Sequence, residues 1–555
     1  MSISQIFENI SHLLQIQSGP SHRSRNYQKA ADIIRDLTDE SGHEISFLQN
    51  LTETDRLEQV RGIGKSTATK IVEIVQTGTC QLYEDLKSKV GEGVLDLLRV
   101  RGIGIKTASR LYQLAEVKSL ADLRSSIDTG KLKEIRGLGI KTLKSIDSSL
   151  AYLESVQNLK PLGDVKPLAD GLMDLLQTCS AIERVEVTGE YRRGKEMLSR
   201  LDLLVIGDAE AIQQALTDRI EIEIITEEVV TGTVDRFPVH IYCTDHSTFA
   251  WDWLQTTGPL RHIEQLGLTE SSYRTEADIY DNVDLPYIAP ELRRSTRLSD
   301  SIKAAKISPN LVTIADILAD LHMHTDWSDG LNTVQEMVNG AKDLGYHYLA
   351  ITDHSRSSAI ANGLSTERLK AQIDTVKVIT SKTEGITVLT GSEVDILKDG
   401  RLDFADELLA ELDVVIASVH SVFEMSQVQM TKRIIRAIEN PFTMMIGHPT
   451  GRLLGSRPGY AVDLSAVIDA AADHGVALEI NASPYRLDLE SDAVMEAKSK
   501  GVMLSVNTDA HAVSNLNQMP LGITTARRGW LESANLINTL SLDDFRRWKN
   551  RCQKL

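Results

Sequence analysis

The sequence predicts a multidomain chain: an all-α N-terminal region, an α+β middle and, at the C-terminal end, a distorted seven-stranded α/β barrel. Three observations carry this. A glycine-centred pattern occurs three times in the first third, as VRGIGKSTATKIVEIV at 60–75, VRGIGIKTASRLYQL at 100–114 and IRGLGIKTLKSI at 135–146. A strand, a turn with a basic pair and a second strand occupy VEVTGEYRRGKEMLSRLDLLVIGD at 185–208. From 316 onward, seven short apolar runs each end in a polar cluster, with helical stretches between them. At 555 residues the chain is too long for one core. The expected domains are 1–85, 86–155, 156–247, 248–312 and 316–555.

Composition narrows the function classes. Hydrophobic residues at 42% and charged residues at 25% exclude global disorder. No apolar run approaches the ~20 residues that span a bilayer, and the N-terminus has no basic leader or apolar core. The four cysteines are far apart with no CxxC pair, which suits neither a disulfide framework nor a thiolate zinc site. These features predict a cytoplasmic protein with no membrane partner. The net charge of −18 is unevenly spread: residues 1–160 hold 22 Lys/Arg against 20 Asp/Glu, 161–315 hold 15 against 26, and 316–555 hold 23 against 32. A polyanion is therefore expected on the first third, and the acidic remainder calls for cations.

Each glycine repeat reads as a helix end, a hairpin and a second helix. The pairs Gly62/Gly64, Gly102/Gly104 and Gly137/Gly139 permit positive φ and close approach of a ligand. Amide N–H groups then point outward at a helix start, an anion site, with Lys65, Lys106 and Lys141 just beyond. The pattern resembles the helix-hairpin-helix motif, which implies binding of DNA phosphates without base readout.

The 185–208 segment resembles the palm signature of family X DNA polymerases, where glycine-serine and Arg-Arg-Gly precede two aspartates one residue apart. SRNYQKAADII at 24–34 is similar to that family's lyase domain, and TGPLRH at 257–262 and NVDLPYIAPELR at 282–293 are similar to its thumb. The resemblance makes 1–85 lyase-like, 86–155 fingers-like with two hairpin motifs, 156–247 palm-like and 248–312 thumb-like. The palm departs from the pattern. Glu190 replaces the serine, Arg200 replaces the first aspartate, Asp202 remains, and His240 stands for the third carboxylate. Two-metal nucleotidyl transfer needs a pair of Mg²⁺ ions. Arg200, Asp202 and a neutral His240 sum to zero charge, and Mg²⁺ wants oxygen ligands. The expected palm is therefore degenerate and holds no Mg²⁺; the alternative is a shifted alignment in which Asp208 or Asp235 restores it. Arg192 and Arg193 are candidates for a DNA phosphate. Lys70 aligns with the family's lyase lysine, a Schiff-base nucleophile.

The barrel runs are ILADLHMHTDWSDG, YLAITDHS, ITVLTGSEVDI, DVVIASVHS, TMMIGHPTGR, ALEINAS and GVMLSVNTDAH. Chemistry in such barrels gathers at C-terminal strand ends. His322 and His324, two apart, share a strand face. Asp329, His354, Glu393, His420, His448, Asp509 and His511 close the loop or the later runs, so six of the eight histidines of 316–555 lie at one rim. Imidazole and carboxylate without thiolate favour Mn²⁺, Zn²⁺ or Fe²⁺. The set resembles the polymerase-and-histidinol-phosphatase (PHP) domain through HxH, SDG, DH, GSE, SVH, GHP and NTDAH. That resemblance implies three divalent metals: one on His322, His324, Glu393 and Asp509, a second sharing Glu393 with His420 and His448, and a third on Asp329, His354 and His511. Glu393 and Asp509 are thus catalytic, and Arg452 and Arg457 are candidate clamps for the substrate phosphate.

The domain order resembles bacterial and archaeal family X polymerases with a C-terminal PHP nuclease. It implies a DNA-repair phosphodiesterase, a 3′–5′ exonuclease or 3′-end processing enzyme on gapped or nicked DNA, with polymerase activity lost and the chain monomeric. The alternatives are an active gap-filling polymerase with a proofreading PHP domain, and a small-molecule phosphatase akin to histidinol phosphatase.

Overall fold

The structure is a computed structural model that describes residues 2–39, 48, 51–52, 56–60, 62–135, 137–217, 219–268, 271–294 and 308–552. The chain divides into two compact units, 1–157 and 158–555.

The first unit is helical. Its core gathers Ile6, Phe7, Ile10 and Leu13 of the helix Ile3–Ser18 with Ile71, Leu97, Leu111 and Leu150 from the later helices. The three hairpins share one backbone solution. Gly62, Gly102 and Gly137 have φ of 97°, 91° and 93°, in the left-handed range that glycine alone enters freely. Gly64, Gly104 and Gly139 are extended and cap the helices Lys65–Thr77, Ile105–Ala115 and Ile140–Val156.

The second unit begins with strands β1 (Lys160–Pro161), β2 (Arg184–Val187), β3 (Met197–Leu198), β4 (Leu201–Ile206), β5 (Glu221–Ile225), β6 (Val229–Val234) and β7 (Phe237–Thr244). β1 pairs with β3, and the others form a sheet in the order β2-β4-β7-β6-β5. The helices Leu162–Gln177 and Ala209–Leu216 bury Leu172, Leu176 and Ile212 in the same core as Leu203 and Ile241 of this sheet. The helices Phe249–Thr257, Leu260–Leu266 and Glu276–Asp281 follow, around Leu254, Ile263, Ile279 and Tyr280. Where the sequence suggests free phosphate-binding arginines, these helices meet the palm turn. Arg192 pairs with Glu276 at 2.6 Å, its side chain 9% exposed, and stacks on Trp253. Arg293, fully buried, pairs with the same carboxylate at 3.0 Å, and Arg193 donates to the Thr257 carbonyl. Arg192 and Arg193 therefore tie the turn after β2 to the helices that follow the sheet, with their side chains held by protein groups where the sequence suggested a DNA phosphate.

The C-terminal part is a parallel barrel of β8 (Ala319–Asp320), β9 (Tyr348–Ile351), β10 (Thr387–Asp395), β11 (Val414–Ser418), β12 (Met445–Ile446), β13 (Ala477–Asn481) and β14 (Leu504–Asn507). The seven strands follow one another in sequence order, and a single parallel bridge, Met323 to Ala510, spans the gap between β8 and β14. The strands read as continuous apolar runs because helices cover their outer faces. Each predicted run holds one strand, so every polar cluster falls at the carboxyl end of the barrel. No helix among the described residues is long and apolar enough to cross a membrane.

Candidate metal centre and the altered palm

The nine rim residues converge. Glu393, at the end of the longest barrel strand, is the hub: His448 Nε2 and His420 Nε2 approach its Oε1 at 2.9 and 3.1 Å. His354 Nδ1 lies 2.9 Å from its Oε2, with His322 and His324 Nε2 at 3.5 and 3.6 Å. Asp509 faces the same two histidines at 3.5 and 3.0 Å. Asp329, on the loop after β8, sits 3.5 Å from both His354 and His511. Backbone strain marks the same place, since Asp509 and His448 carry positive φ. Gly330 shapes the loop: a Cβ there would lie 2.6 Å from the His324 carbonyl.

The donor set fits divalent cations. Both Glu393 oxygens, His322 Nε2 and His324 Nδ1 are buried without a hydrogen bond, a costly state unless a cation takes the lone pairs. Three overlapping groups have donor atoms close enough to share an ion: His322, His324 and Asp509; His354, Glu393 and His420; and His324, Asp329, His354 and His511. His324 thus belongs to two groups, and His354 reaches Glu393 as well as Asp329. Either could serve two ions, where the sequence resemblance assigned each to one.

The charges are strongly coupled. Burial opposes ionisation of His322, yet Glu479, Asp509 and Glu393 push its pKa well above the imidazole value. Burial and the neighbours His511 and His354 push His324 down to about 3. Glu393, buried among His420, His322 and His354, is held well below the carboxylate range despite desolvation.

Residues that sequence reasoning missed surround this shell. Glu479 accepts from His322 at Nδ1 (2.7 Å), from the His448 amide and from Asn507, turning the His322 Nε2 inward. Asp395 does the same for His420 at 3.1 Å. Asp353 accepts from Thr325 and Ser328 and so shapes the loop carrying Asp329. The available signal was a carboxylate inside an apolar strand run: Glu393 and Asp395 are two apart, as are Glu479 and Asn481, and hence share a face.

The rim opens into a cleft of about 410 Å³ lined by His354, Ser358, Ile360, His420, Arg486 and Asp509 among others. Arg486 Nε lies 3.6 Å from Asp509. Arg452, expected to clamp phosphate, is turned away: it pairs with Glu196 at 2.9 Å and donates to the Arg486 and Leu487 carbonyls. Arg457 donates to the Gly451 carbonyl and covers Phe423. Among the described residues lining the cleft, Arg486 is the basic side chain with a fixed charge.

In the palm, Glu190, Arg200, Asp202 and His240 do come together. Asp202 and His240 are register partners on β4 and β7. Arg200 Nε lies 2.7 Å from Asp202, whose side chain is 1% exposed, and His240 is 4.0 Å away. Burial raises the Asp202 pKa against the pull of Arg200, while burial and Arg200 lower that of His240. Lys195 and the Ser199 amide outweigh burial and keep Glu190 ionised. The carboxylates that a shifted alignment would recruit lie elsewhere: Asp208 caps the helix Ala209–Leu216, and Asp235 sits in the β6–β7 turn.

At the hairpins, a Cβ on Gly64, Gly104 or Gly139 would meet nothing within 4 Å, whereas Gly62 and Gly102 face Ile33 and Ile146. The second glycine of each pair therefore leaves the helix start open. Lys65 begins its helix, and Lys106 and Lys141 stand second in theirs. Lys70, on the helix Lys65–Thr77, hydrogen-bonds Ser66 at 3.1 Å.

Fold and site together define a helix-hairpin-helix protein carrying a barrel of the PHP type, whose rim of His, Asp and Glu side chains could hold metal ions. Family models agree on each part: the PHP domain matches residues 320–483, a helix-hairpin-helix domain 1–80, and a SAM-like helix-hairpin-helix tandem 94–150. The DNA polymerase/3′-5′ exonuclease PolX of Bacillus subtilis (strain 168) is 32% identical over 535 residues, covering 91% of this chain and 92% of that protein. The chain belongs to the PolX family. Over a shorter stretch the chain is similar to a probable phosphatase of Thermoanaerobacter sp. (strain X514), 32% identical over 234 residues (40% of this chain, 91% of the relative). That of Shewanella sediminis (strain HAW-EB3) is 31% identical over 231 residues, with 40% and 89% covered.

Proposed function

We propose that this PolX-family protein is a DNA-repair phosphodiesterase whose barrel shortens or cleans 3′ ends on gapped or nicked DNA, and whose palm no longer polymerises. The observation that carries the reading is the contrast between a rim of buried, unsatisfied metal donors and a palm carboxylate neutralised by Arg200. Divalent cations at the rim, with Mn²⁺, Zn²⁺ or Fe²⁺ suited to the donors, would supply Lewis-acid activation of water and screening of phosphate oxygens. The chain's own residues do the rest. Glu479 and Asp395 hold His322 and His420 with Nε2 toward the cleft. Arg486 faces that cleft as the donor for a non-bridging phosphate oxygen. The open hairpins supply affinity for the DNA backbone without base readout.

The palm part rests on charge. A pair of Mg²⁺ ions needs carboxylates to offset it, and here Asp202 is paired with a guanidinium while Glu190 is held by Lys195. Nuclease assays on 3′-recessed, gapped and single-stranded DNA with Mn²⁺, run beside primer extension, test both halves. Metal-dependent 3′ shortening without dNTP incorporation is expected; extension of the primer refutes the palm reading.

The likeness of part of the chain to probable phosphatases supports a second reading, a phosphomonoesterase. Hydrolysis of histidinol phosphate with intact DNA ends would favour it over the nuclease.

A further inference from the structure

The segment carrying Arg486 is held from two sides. From the barrel, Asp488 accepts the Thr450 and Gly451 amides and its carbonyl accepts from Asn481. From the palm, the grip is closer. Gly163, at the start of the helix Leu162–Gln177, touches Pro484 so tightly that a Cβ there would lie 2.0 Å from the proline Cβ. Leu487 and Leu454 belong to the palm's hydrophobic core rather than the barrel's. Leu454 donates its amide to the Tyr485 carbonyl at 2.7 Å.

At the centre stands Arg452. Its Nη2 meets Glu196, one residue before β3, at 2.9 Å, with both side chains largely buried at 13% and 16% exposure. Its Nε donates to the Arg486 carbonyl at 3.0 Å, and Nη2 also donates to that of Leu487. A continuous chain of contacts therefore runs from a palm carboxylate, through one guanidinium, to the backbone that aims a second guanidinium into the metal cleft. The Arg452 Nη1 also reaches the exposed Glu490 at 3.3 Å, so Glu196 is the buried one of its two carboxylate partners, and breaking that buried pair leaves charge poorly compensated.

We propose that the palm, rather than polymerising, positions the nuclease: Glu196, acting through Arg452, fixes residues 483–489 so that Arg486 faces the rim and receives the substrate phosphate. The proposal rests on the phosphodiesterase reading and adds to it a role for the palm. Glu196 and Arg452 are positioning residues; Arg486 is the group that touches substrate.

A double-mutant cycle in the full-length protein tests this. Arg486→Ala is expected to lower kcat/KM on a 3′-recessed oligonucleotide with Mn²⁺ by about 100-fold. Glu196→Gln is expected to lower it about tenfold, chiefly through KM. The double variant should be no worse than Arg486→Ala, since the first substitution acts only through the second side chain. Amide hydrogen exchange over 483–489 should rise in Glu196→Gln with metal content unchanged. Gly163→Ala, which pushes on Pro484 without touching a charge, should raise exchange over the same peptide and lower kcat/KM in the same direction. A double variant that loses the product of the two single effects overturns the proposal, as does a Glu196→Gln protein with wild-type kcat/KM. Exchange needs no turnover: unchanged protection over 483–489 in Glu196→Gln defeats the coupling even if the wild type proves inactive on DNA, a result that would separately defeat the phosphodiesterase reading.

Discussion

The barrel rim and the palm centre each gather titratable side chains around a buried carboxylate, Glu393 in one and Asp202 in the other, yet they surround it differently. At the rim, Glu393, Asp509 and Asp329 are surrounded by imidazoles, which are strong ligands when neutral and tolerable neighbours when protonated. In the palm, Asp202 is joined by Arg200, a permanent cation that cannot be displaced by losing a proton. Histidine keeps a carboxylate available to metal; arginine does not. The two regions also differ in what supports them. The rim has Glu479, Asp395 and Asp353 orienting its ligands, whereas the palm's charged residues Glu190, Arg192 and Arg193 are occupied with Lys195, Glu276 and the Thr257 carbonyl.

The largest effect should come from the shared ligand. His324→Ala removes a donor common to two ion groups and is expected to cut nuclease activity on the order of 1000-fold, with DNA affinity retained. Fluorescence anisotropy beside the cleavage assay checks both parts; equal loss of binding would mean the residue is only structural.

Next comes the palm–thumb brace. Against burial, Arg293 and Arg192 pull the Glu276 pKa down to about 2 from an ordinary glutamate value of 4.5. A depressed carboxylate pKa stabilises the fold above the unfolded value and ceases to do so as pH falls through the folded one. Glu276 should thus contribute roughly 3 kcal/mol near neutrality, lost progressively between about pH 4.5 and 2. Glu276→Gln should lower Tm at pH 7 and converge with wild type in acid; parallel melting curves at all pH values would contradict this.

A smaller effect is expected one layer out. Glu479→Gln should weaken metal binding by about 10–100-fold, read by titration calorimetry. Smallest are the hairpin lysines. Each of Lys65→Ala, Lys106→Ala and Lys141→Ala should reduce the slope of log affinity against log salt by about 1 if it contacts a phosphate. An unchanged slope would remove that lysine from the interface.

How much of this the sequence carried depends on whether a residue's partner is local. The rim residues were legible because they close or follow apolar runs, and a strand places its last residues at a predictable end of the barrel. The hairpin glycines were legible because φ near 90° selects glycine by itself. The meeting of Asp202 and His240 was legible too, since β4 and β7 pair in register. The arginines were not. Arg192 looks like a free turn residue until Glu276 is brought to it by three helices, and Arg452 looks like a loop arginine until Glu196 arrives from the palm. Long-range ion pairs leave no periodicity in the chain. Arg486 was hidden for the same reason, its approach to the cleft being set by contacts from two domains.

The most direct test is anomalous scattering from crystals of the full-length protein grown with Mn²⁺. Manganese peaks are expected at the barrel rim, among Glu393, Asp509 and the histidines around them, and none beside Asp202. A bare rim, or a pair of ions seated on Asp202, would contradict this.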